Sequence, residues 1–312
     1  MEGTSATWPC TSTIHPLKHK MTLESLEWVK SLNVMSDKKL AKFAKYEIMT
    51  LVAWAYRRAS PEHFRLCSDF MHLFWIIDDR TDEQSSIEVE HEVANIKRIL
   101  ADPSLISPDQ GVLEGVCQPW LKSVVEHLKP PPATKARFLR NFISYLDSLP
   151  EEARDRETGR LRDRGEHFDL RRRTGGLLPS FDFIYIPFNL SDEVAEHEVV
   201  KRMSIVTGDL VIIANDIYSY NVEQAGGQKC VAHNIVDVVM RERQKGVQDA
   251  MNVVGASYRE LFLSLLDDFN NLPVFDRPEQ NKVLHEYALG LMDWVEANVE
   301  FSLDSQRYFG AK

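Results

Sequence analysis

Apolar residues recur at three- and four-residue steps along most of this 312-residue chain, and period-two alternation is nearly absent. That pattern commits the chain to helices and leaves no material for a sheet. Lys38 to Ala59 carries Leu40, Phe43, Ala44, Ile48, Leu51 and Val52 at helical steps and is expected to be one helix. Ser60-Pro61-Glu62 then reads as N-cap, first helical position and acidic first turn of a helix running through Phe64, Cys67, Phe70, Met71, Phe74 and Ile77. Pro130-Pro131-Pro132 is a break, and Ala133 to Leu149 is helical again. Gly175-Gly176 closes a mixed-charge stretch, 151–173, of eight arginines and seven acids.

Further on, Ser191-Asp192 opens a helix expected to reach Gly226-Gly227. Asn234 to Val254, Tyr258 to Asn270 and Gln280 to Leu303 also read as helices, and Phe181 to Pro187 is the one short strand candidate. The expectation is a single all-α domain of roughly ten helices over 21–312, with 1–20 a flexible segment or a lid.

Charge and cysteine usage narrow the class. The chain has 37 Lys and Arg against 47 Asp and Glu, a net −10. Nucleic acid is therefore an unsuitable partner, because phosphate backbones need a basic footprint. Cys10, Cys67, Cys117 and Cys230 form no CxxC pair, so zinc and redox motifs are not expected. The first twenty residues lack the apolar core of a secretory signal, and the Asn189-Leu190-Ser191 sequon then carries little weight. No apolar run is long enough to span a bilayer. A cytoplasmic protein, monomer or homodimer, is expected.

Two helix faces carry chemistry. Asp78 and Asp82 lie four apart, with Asp79 beside them, at the end of an apolar stripe through Cys67, Met71 and Phe74. Carboxylates there repel one another and face the wrong end of the helix dipole, and a hard divalent cation would resolve both problems. The alternative is a solvated acidic helix end with Arg80 as local partner. On the second face, Asn215, Ser219 and Glu223 recur at i, i+4 and i+8, spanning about 12 Å. They present amide, hydroxyl and carboxylate oxygens to one small cation. The all-round apolar Leu210-Val211-Ile212-Ile213-Ala214 just upstream predicts a buried central helix. The alternative is a polar seam bonded to a neighbouring helix.

Together these motifs resemble those of class I terpene synthases. Asp78-Asp79-x-x-Asp82 matches the family's aspartate-rich motif, and Asn215-Asp216-x-x-Ser219-x-x-x-Glu223 its second metal motif. Arg171-Arg172-x-Thr174-Gly175 is similar to its diphosphate-sensing helix break, and Arg307-Tyr308 to its C-terminal Arg-Tyr pair. NDIYSYNVEQ, HNIVDVVM and SQRYFG look most like fungal, mushroom-type sesquiterpene cyclases.

The resemblance implies a single-domain helical barrel around an apolar cavity, three Mg²⁺ (with Mn²⁺ as a substitute) and a prenyl diphosphate substrate, farnesyl diphosphate foremost. It implies that Asp78 ligates two metals and that Asn215, Ser219 and Glu223 hold the third. Asp79, Asp82 and Asp216 support the motifs, the first two by orienting neighbours or bonding to arginine. Arg171 would sense the diphosphate, ahead of Arg172. Thr174 and Gly175 would form the helix break, and Arg307 and Tyr308 would close over the diphosphate. Phe74, Phe70 and Phe301 are the candidate aromatic faces for a carbocation. Val222 stands where relatives often have Lys, and Phe301 where they usually have Trp. A chain-elongating prenyl diphosphate synthase and a non-catalytic helical binding protein remain the alternatives.

Overall fold

The computed structural model describes residues 8–9, 13–102, 104, 111–225 and 233–309. Cys10, Cys230 and Gly226-Gly227 lie outside the described residues. Among those described there is no strand. The helices are α1 (Lys18–Ser31), α2 (Asp37–Ala44), α3 (Ile48–Ala55), α4 (Pro61–Thr81), α5 (Ser86–Ala101), α6 (Val112–Leu128), α7 (Pro132–Thr158), α8 (Arg164–Thr174) and α9 (Leu177–Tyr185). They continue with α10 (Asp192–Ala195), α11 (Glu198–Ala225), α12 (Ile235–Arg243), α13 (Val247–Asn270), α14 (Pro278–Asp304) and α15 (Gln306–Phe309). The expected boundary at residue 20 falls inside α1.

Packing closes these helices into a ring. α3 packs on α4, α4 on α6, α6 on α5, α5 on α7, α7 on α8 and α9, α8 on α11, α11 on α14, and α14 back on α3. One continuous apolar core runs through the ring, and α12 and α13 share a smaller cluster with Ile213 and Tyr220 of α11. Among the described residues no helix is long and apolar enough to cross a membrane.

Start signals behaved as local chemistry dictates. The Ser60 hydroxyl accepts from the His63 N–H, with Pro61 in the first turn of α4. Pro132 opens α7, which runs past the expected Leu149, through Pro150, to Thr158. Two of the failed readings trace to a left-handed residue and one to burial on two sides. Lys38–Ala59 is two helices, because Glu47 adopts φ 53° between them. α2 buries only Phe43, whereas α3 buries nearly every side chain, so the chain turns inward at Glu47. Gln244, at φ 51°, likewise splits the expected Asn234–Val254 helix. The Ser191 start yields only the four-residue α10 before α11 begins. Phe181–Pro187 is no strand; most of it belongs to α9, which is apolar on both sides because it fills the ring wall. α5 and α6 had no counterpart in the reading, although the Ser85–Glu88 capping box marks the start of α5.

α9 is fixed from three directions. The Tyr56 hydroxyl donates to the Ser180 carbonyl at 2.9 Å. His63 Nε2 donates to the Phe183 carbonyl at 2.6 Å, and burial holds this imidazole down near pKa 4, hence neutral. Asp182 accepts from Asn141 of α7 at 2.8 Å and from the Tyr185 hydroxyl.

Burial lifts the Asp182 pKa from its ordinary 3.8 to about 6, against the pull of these two bonds. The folded state therefore binds this proton more tightly than the unfolded chain. Its contribution to stability is greatest below about pH 4 and is lost as pH rises through about 6. Asp182→Asn should flatten that fall by on the order of 2 kcal/mol between pH 4.5 and 7, read by urea unfolding at both pH values.

Candidate functional site

The end of α4, the last turns of α7, the end of α8, the second half of α11 and the short α15 meet around one group of charges. The three aspartates of α4 have different surroundings. Asp79 pairs with Lys39 of α2 at 2.9 Å, and Lys39 also reaches Glu83 at 3.2 Å. Asp82 pairs with Arg156 of α7 at 3.2 Å, and the same arginine donates to the Thr81 carbonyl at 2.9 Å. Arg80 is no partner of this acidic end, because Glu92 of α5 takes it at 2.7 Å. Among the described residues the Asp78 carboxylate has no ion pair or hydrogen bond. Asp78 is exposed to solvent at the end of α4. Desolvation and then Glu152 raise its pKa, opposed by Arg307 and Arg171. Asp82 is raised to about 6 by the same desolvation and by Asp78.

On α11 the four motif residues divide by angle. Asp216 points into the protein, 1% exposed. It accepts from Arg171 Nη2 at 3.2 Å and from the Ile235 N–H at 2.8 Å, and His167 Nε2 lies 3.2 Å away. Burial opposes its charge, but Arg171 and His167 hold its carboxyl below the ordinary range. Asn215, Ser219 and Glu223 form the other face, as their spacing predicts. Asn215 accepts from Arg171 at 3.3 Å and donates to the Tyr308 hydroxyl at 2.8 Å. Glu223 accepts from Asn234 at 3.0 Å. Its pKa is raised by burial and by Asp216, against the Ser219 hydroxyl and Asn234.

Arg171 and Arg172 are separated by their partners. Arg172 makes a two-point bond with Asp209, at 2.7 and 2.8 Å. Arg171 instead sits between α11 and Glu152, with its Nε unpartnered. Burial works against its charge, yet Asp216, Glu152 and Glu223 raise its pKa. Thr174 ends α8 beside Glu152, and Gly175 is its exposed C-cap in ordinary right-handed geometry. The left-handed residue of the break is Gly176, at φ 60°.

In the last segment, the Arg307 guanidinium lies 4.1 Å from the Trp75 ring centre, 5.1 Å from Tyr46 and 5.5 Å from Tyr308. Phe301 is buried behind this cage, 6.1 Å from Trp75. Phe74 keeps 7% exposure and leans edge-on to Tyr145. Phe70 is not brought to the site surface. It is fully buried, with Phe183 stacked at 4.3 Å on its ring and Trp120 at 5.0 Å.

Glu152, Arg156, Asn234, Trp75 and Tyr46 belong to this constellation, and the sequence reading named none of them as a site residue. Glu152 and Arg156 lie four apart on α7, but the charge-rich run around them hides that face. Among the described residues no three His, Cys, Asp or Glu side chains already stand together as a metal cage. What stands there is an excess of acids. Asp78, Asp82, Glu152 and Glu223 are all raised, with desolvation the first cause in each. Such a set fits divalent cations, which would supply the missing positive charge to hard oxygen donors.

The family described as terpene synthase family 2, C-terminal metal binding, matches residues 69–262. A Delta(6)-protoilludene synthase of Stereum hirsutum is 33% identical over 100% of this chain and 84% of its own length. Sesquiterpene synthase 9 of Postia placenta is 34% identical over 99% of this chain and 89% of its own. In fold, the chain is similar to germacradien-4-ol synthase from Streptomyces citricolor (TM-score 0.77, 22% identity, 96% of this chain and 98% of that one). It is also similar to linalool/nerolidol synthase from Streptomyces clavuligerus in complex with 2-fluorogeranyl diphosphate (TM-score 0.80, 18% identity, 93% of this chain and 100% of that one).

Arg172→Ala should leave the buried Asp209 carboxylate without its partner and cost about 1–2 kcal/mol of stability, read by thermal denaturation.

Proposed function

The chain belongs to terpene synthase family 2, and on that premise we propose how its residues convert farnesyl diphosphate to a cyclic sesquiterpene, releasing diphosphate. It is a class I sesquiterpene synthase, a lyase that depends on divalent metal. The observation that carries the proposed site is the meeting of two oxygen-rich helix faces, on α4 and α11, at one half-buried arginine, with the nearby carboxylates short of positive charge.

Asp78 would hold two Mg²⁺, and Asn215, Ser219 and Glu223 a third, with Mn²⁺ able to replace them. When bound, these ions stabilise the negative charge that builds on the leaving diphosphate as the C–O bond breaks. The chain's own residues do the rest. Asp79 and Asp82, already neutralised by Lys39 and Arg156, fix the end of α4 around Asp78. Arg171 has an unpartnered Nε to give to a diphosphate oxygen. Arg307 spends its planar face on Trp75, which leaves its edge donors for the same anion. Tyr308, bonded to Asn215, ties the last segment to α11. Phe74 and Tyr145 offer an apolar, π-rich wall that shields the allylic cation from water and stabilises it. The absence of Lys at Val222 leaves Arg171 and Arg307 as the main side-chain donors to diphosphate.

Incubation with farnesyl diphosphate and Mg²⁺, read by gas chromatography–mass spectrometry, should yield a cyclic C15 product. A requirement for isopentenyl diphosphate would instead make the protein a chain-elongating enzyme. Asp78→Ala should abolish turnover, and Arg171→Ala should lower it by about 10²–10³-fold, as loss of one charge-stabilising donor does. Wild-type turnover in either variant would remove that residue from the site. Glu223→Gln should raise the Mg²⁺ concentration needed for half-maximal rate.

A further inference from the structure

The structure assigns a positioning role to Gly176. Its bare Cα is the seat of the Phe74 ring, and this contact sets the first metal helix in register with the α8–α9 break that carries Arg171. The assignment rests on the proposed function and deepens it.

The geometry leaves no room for any other residue at this point. A Cβ on Gly176 would lie 2.4 Å from Phe74 Cε1, 2.8 Å from Cζ and 3.0 Å from Cδ1. Gly176 also needs left-handed backbone, φ 60°, which side-chain-bearing residues adopt at a cost. The ring cannot swing aside. Phe70 meets it edge-on at 4.6 Å, Tyr145 at 4.5 Å and Phe142 at 5.8 Å. Nor can the glycine retreat. Its carbonyl accepts from the Ser180 hydroxyl at 2.8 Å, and the Ser180 carbonyl is in turn held by Tyr56 at 2.9 Å. The next residue, Leu177, lies against Gly208 of α11, 3.6 Å from where a Cβ would stand.

The contact sits between the groups that must act together. Phe74 precedes Asp78 by four residues on the same face of α4. Gly176 follows Arg171 by five residues, just past the C-terminus of α8, and Arg171 bonds Asn215 and Asp216. The path from Asp78 to Asn215 therefore runs through one helical turn, the Phe74–Gly176 contact, one helical turn and a guanidinium. A displacement at the seat moves the aspartate helix relative to the diphosphate sensor without removing any charged side chain. Misplacement of this kind lowers the rate of ionisation more than it weakens substrate binding.

A four-protein cycle tests this: wild type, Gly176→Ala, Phe74→Leu and the double variant. Each is measured for kcat and KM with farnesyl diphosphate and Mg²⁺, and for the rise in Tm produced by Mg²⁺ with inorganic pyrophosphate. Pyrophosphate has no prenyl chain, so the Tm rise is blind to any contact between Phe74 and substrate carbon. Gly176→Ala should lower kcat by about 10–100-fold with a much smaller change in KM, and should shrink the Tm rise. Phe74→Leu, which opens space above Gly176, should restore part of both losses in the double variant, a coupling that independent sites do not show.

Effects that simply multiply, or a Gly176→Ala protein with wild-type kcat and wild-type Tm rise, would overturn the seat. If Gly176→Ala gives no soluble protein, Phe74→Leu decides alone: a reduced Tm rise supports the seat and an unchanged one overturns it. A wild type stabilised by Mg²⁺ with pyrophosphate, but yielding no terpene, would overturn the function and leave the seat to the stabilisation cycle. A wild type indifferent to both would overturn the two together.

Discussion

Asp216 is the constraint on which the site's geometry depends. One carboxylate, enclosed in the protein, collects Arg171 from α8 and the Ile235 N–H that opens α12, with His167 of α8 in reach. Its own main-chain carbonyl takes Asn234, which also bonds Glu223. Three helices are thereby held at fixed angles around a charge that could not be buried alone. Removing one partner of such a pair leaves an uncompensated charge in low dielectric, a loss of about 3–5 kcal/mol. Because Asp216 follows Asn215 by one residue, it points roughly 100° away from the metal-capable face. The same turn of helix thus contributes a structural carboxylate inward and the Asn215 amide to the charged site.

This division explains how a chain of net charge −10 can serve an anionic substrate. The acids fall into two populations. Asp216 and Asp209 have arginine partners, as do Glu92 and Asp268 elsewhere in the ring. At the site, Asp78 and Glu223 have no ion pair among the described residues and Asp82 and Glu152 share Arg156, while desolvation first, then neighbouring carboxylates, raises the pKa of all four. Net charge averages over both populations and so carries no information about the anion. The local imbalance does, because cations gathered there present a positive surface to diphosphate.

The faces of single helices were legible in the sequence because helical periodicity is fixed by backbone geometry. Asn215, Ser219 and Glu223 needed only that rule, and so did the approach of Phe74 and Asp78. Breaks set by tertiary forces were not legible. Glu47 and Gln244 are ordinary polar residues, and nothing local marks them for left-handed backbone. Phe181–Pro187 looked like a buried strand because burial on two sides erases the helical period. Partners from distant segments were equally hidden. Arg80 turns to Glu92 on the next helix and not to its own neighbours, and the Arg307 cage draws Tyr46 from the α2–α3 turn and Trp75 from α4. A list of motifs has no way to place such pairs.

The two ends of the ring are held by different physics, and the difference bears on how the site works. Away from the charged site, Asp293, fully buried, receives Arg57 at 3.2 Å and Arg58 at 2.9 Å, and Glu296 receives Arg57 at 2.7 Å. There too Tyr56 and His63 fasten the carbonyls of α9, and Gly290 lets Ile184 of α9 press onto the backbone of α14. These contacts are directional, and they pair each charge with an opposite one. At the charged site the carboxylates repel one another, α8 is interrupted, and the last segment is docked by a guanidinium over aromatic rings and one hydroxyl. Free energy gained on binding cations and diphosphate can be expressed only where contacts are unsatisfied beforehand. Ordering should therefore be confined to the α4 terminus, the α8–α9 break and α15, with the far end acting as the fixed frame against which they move.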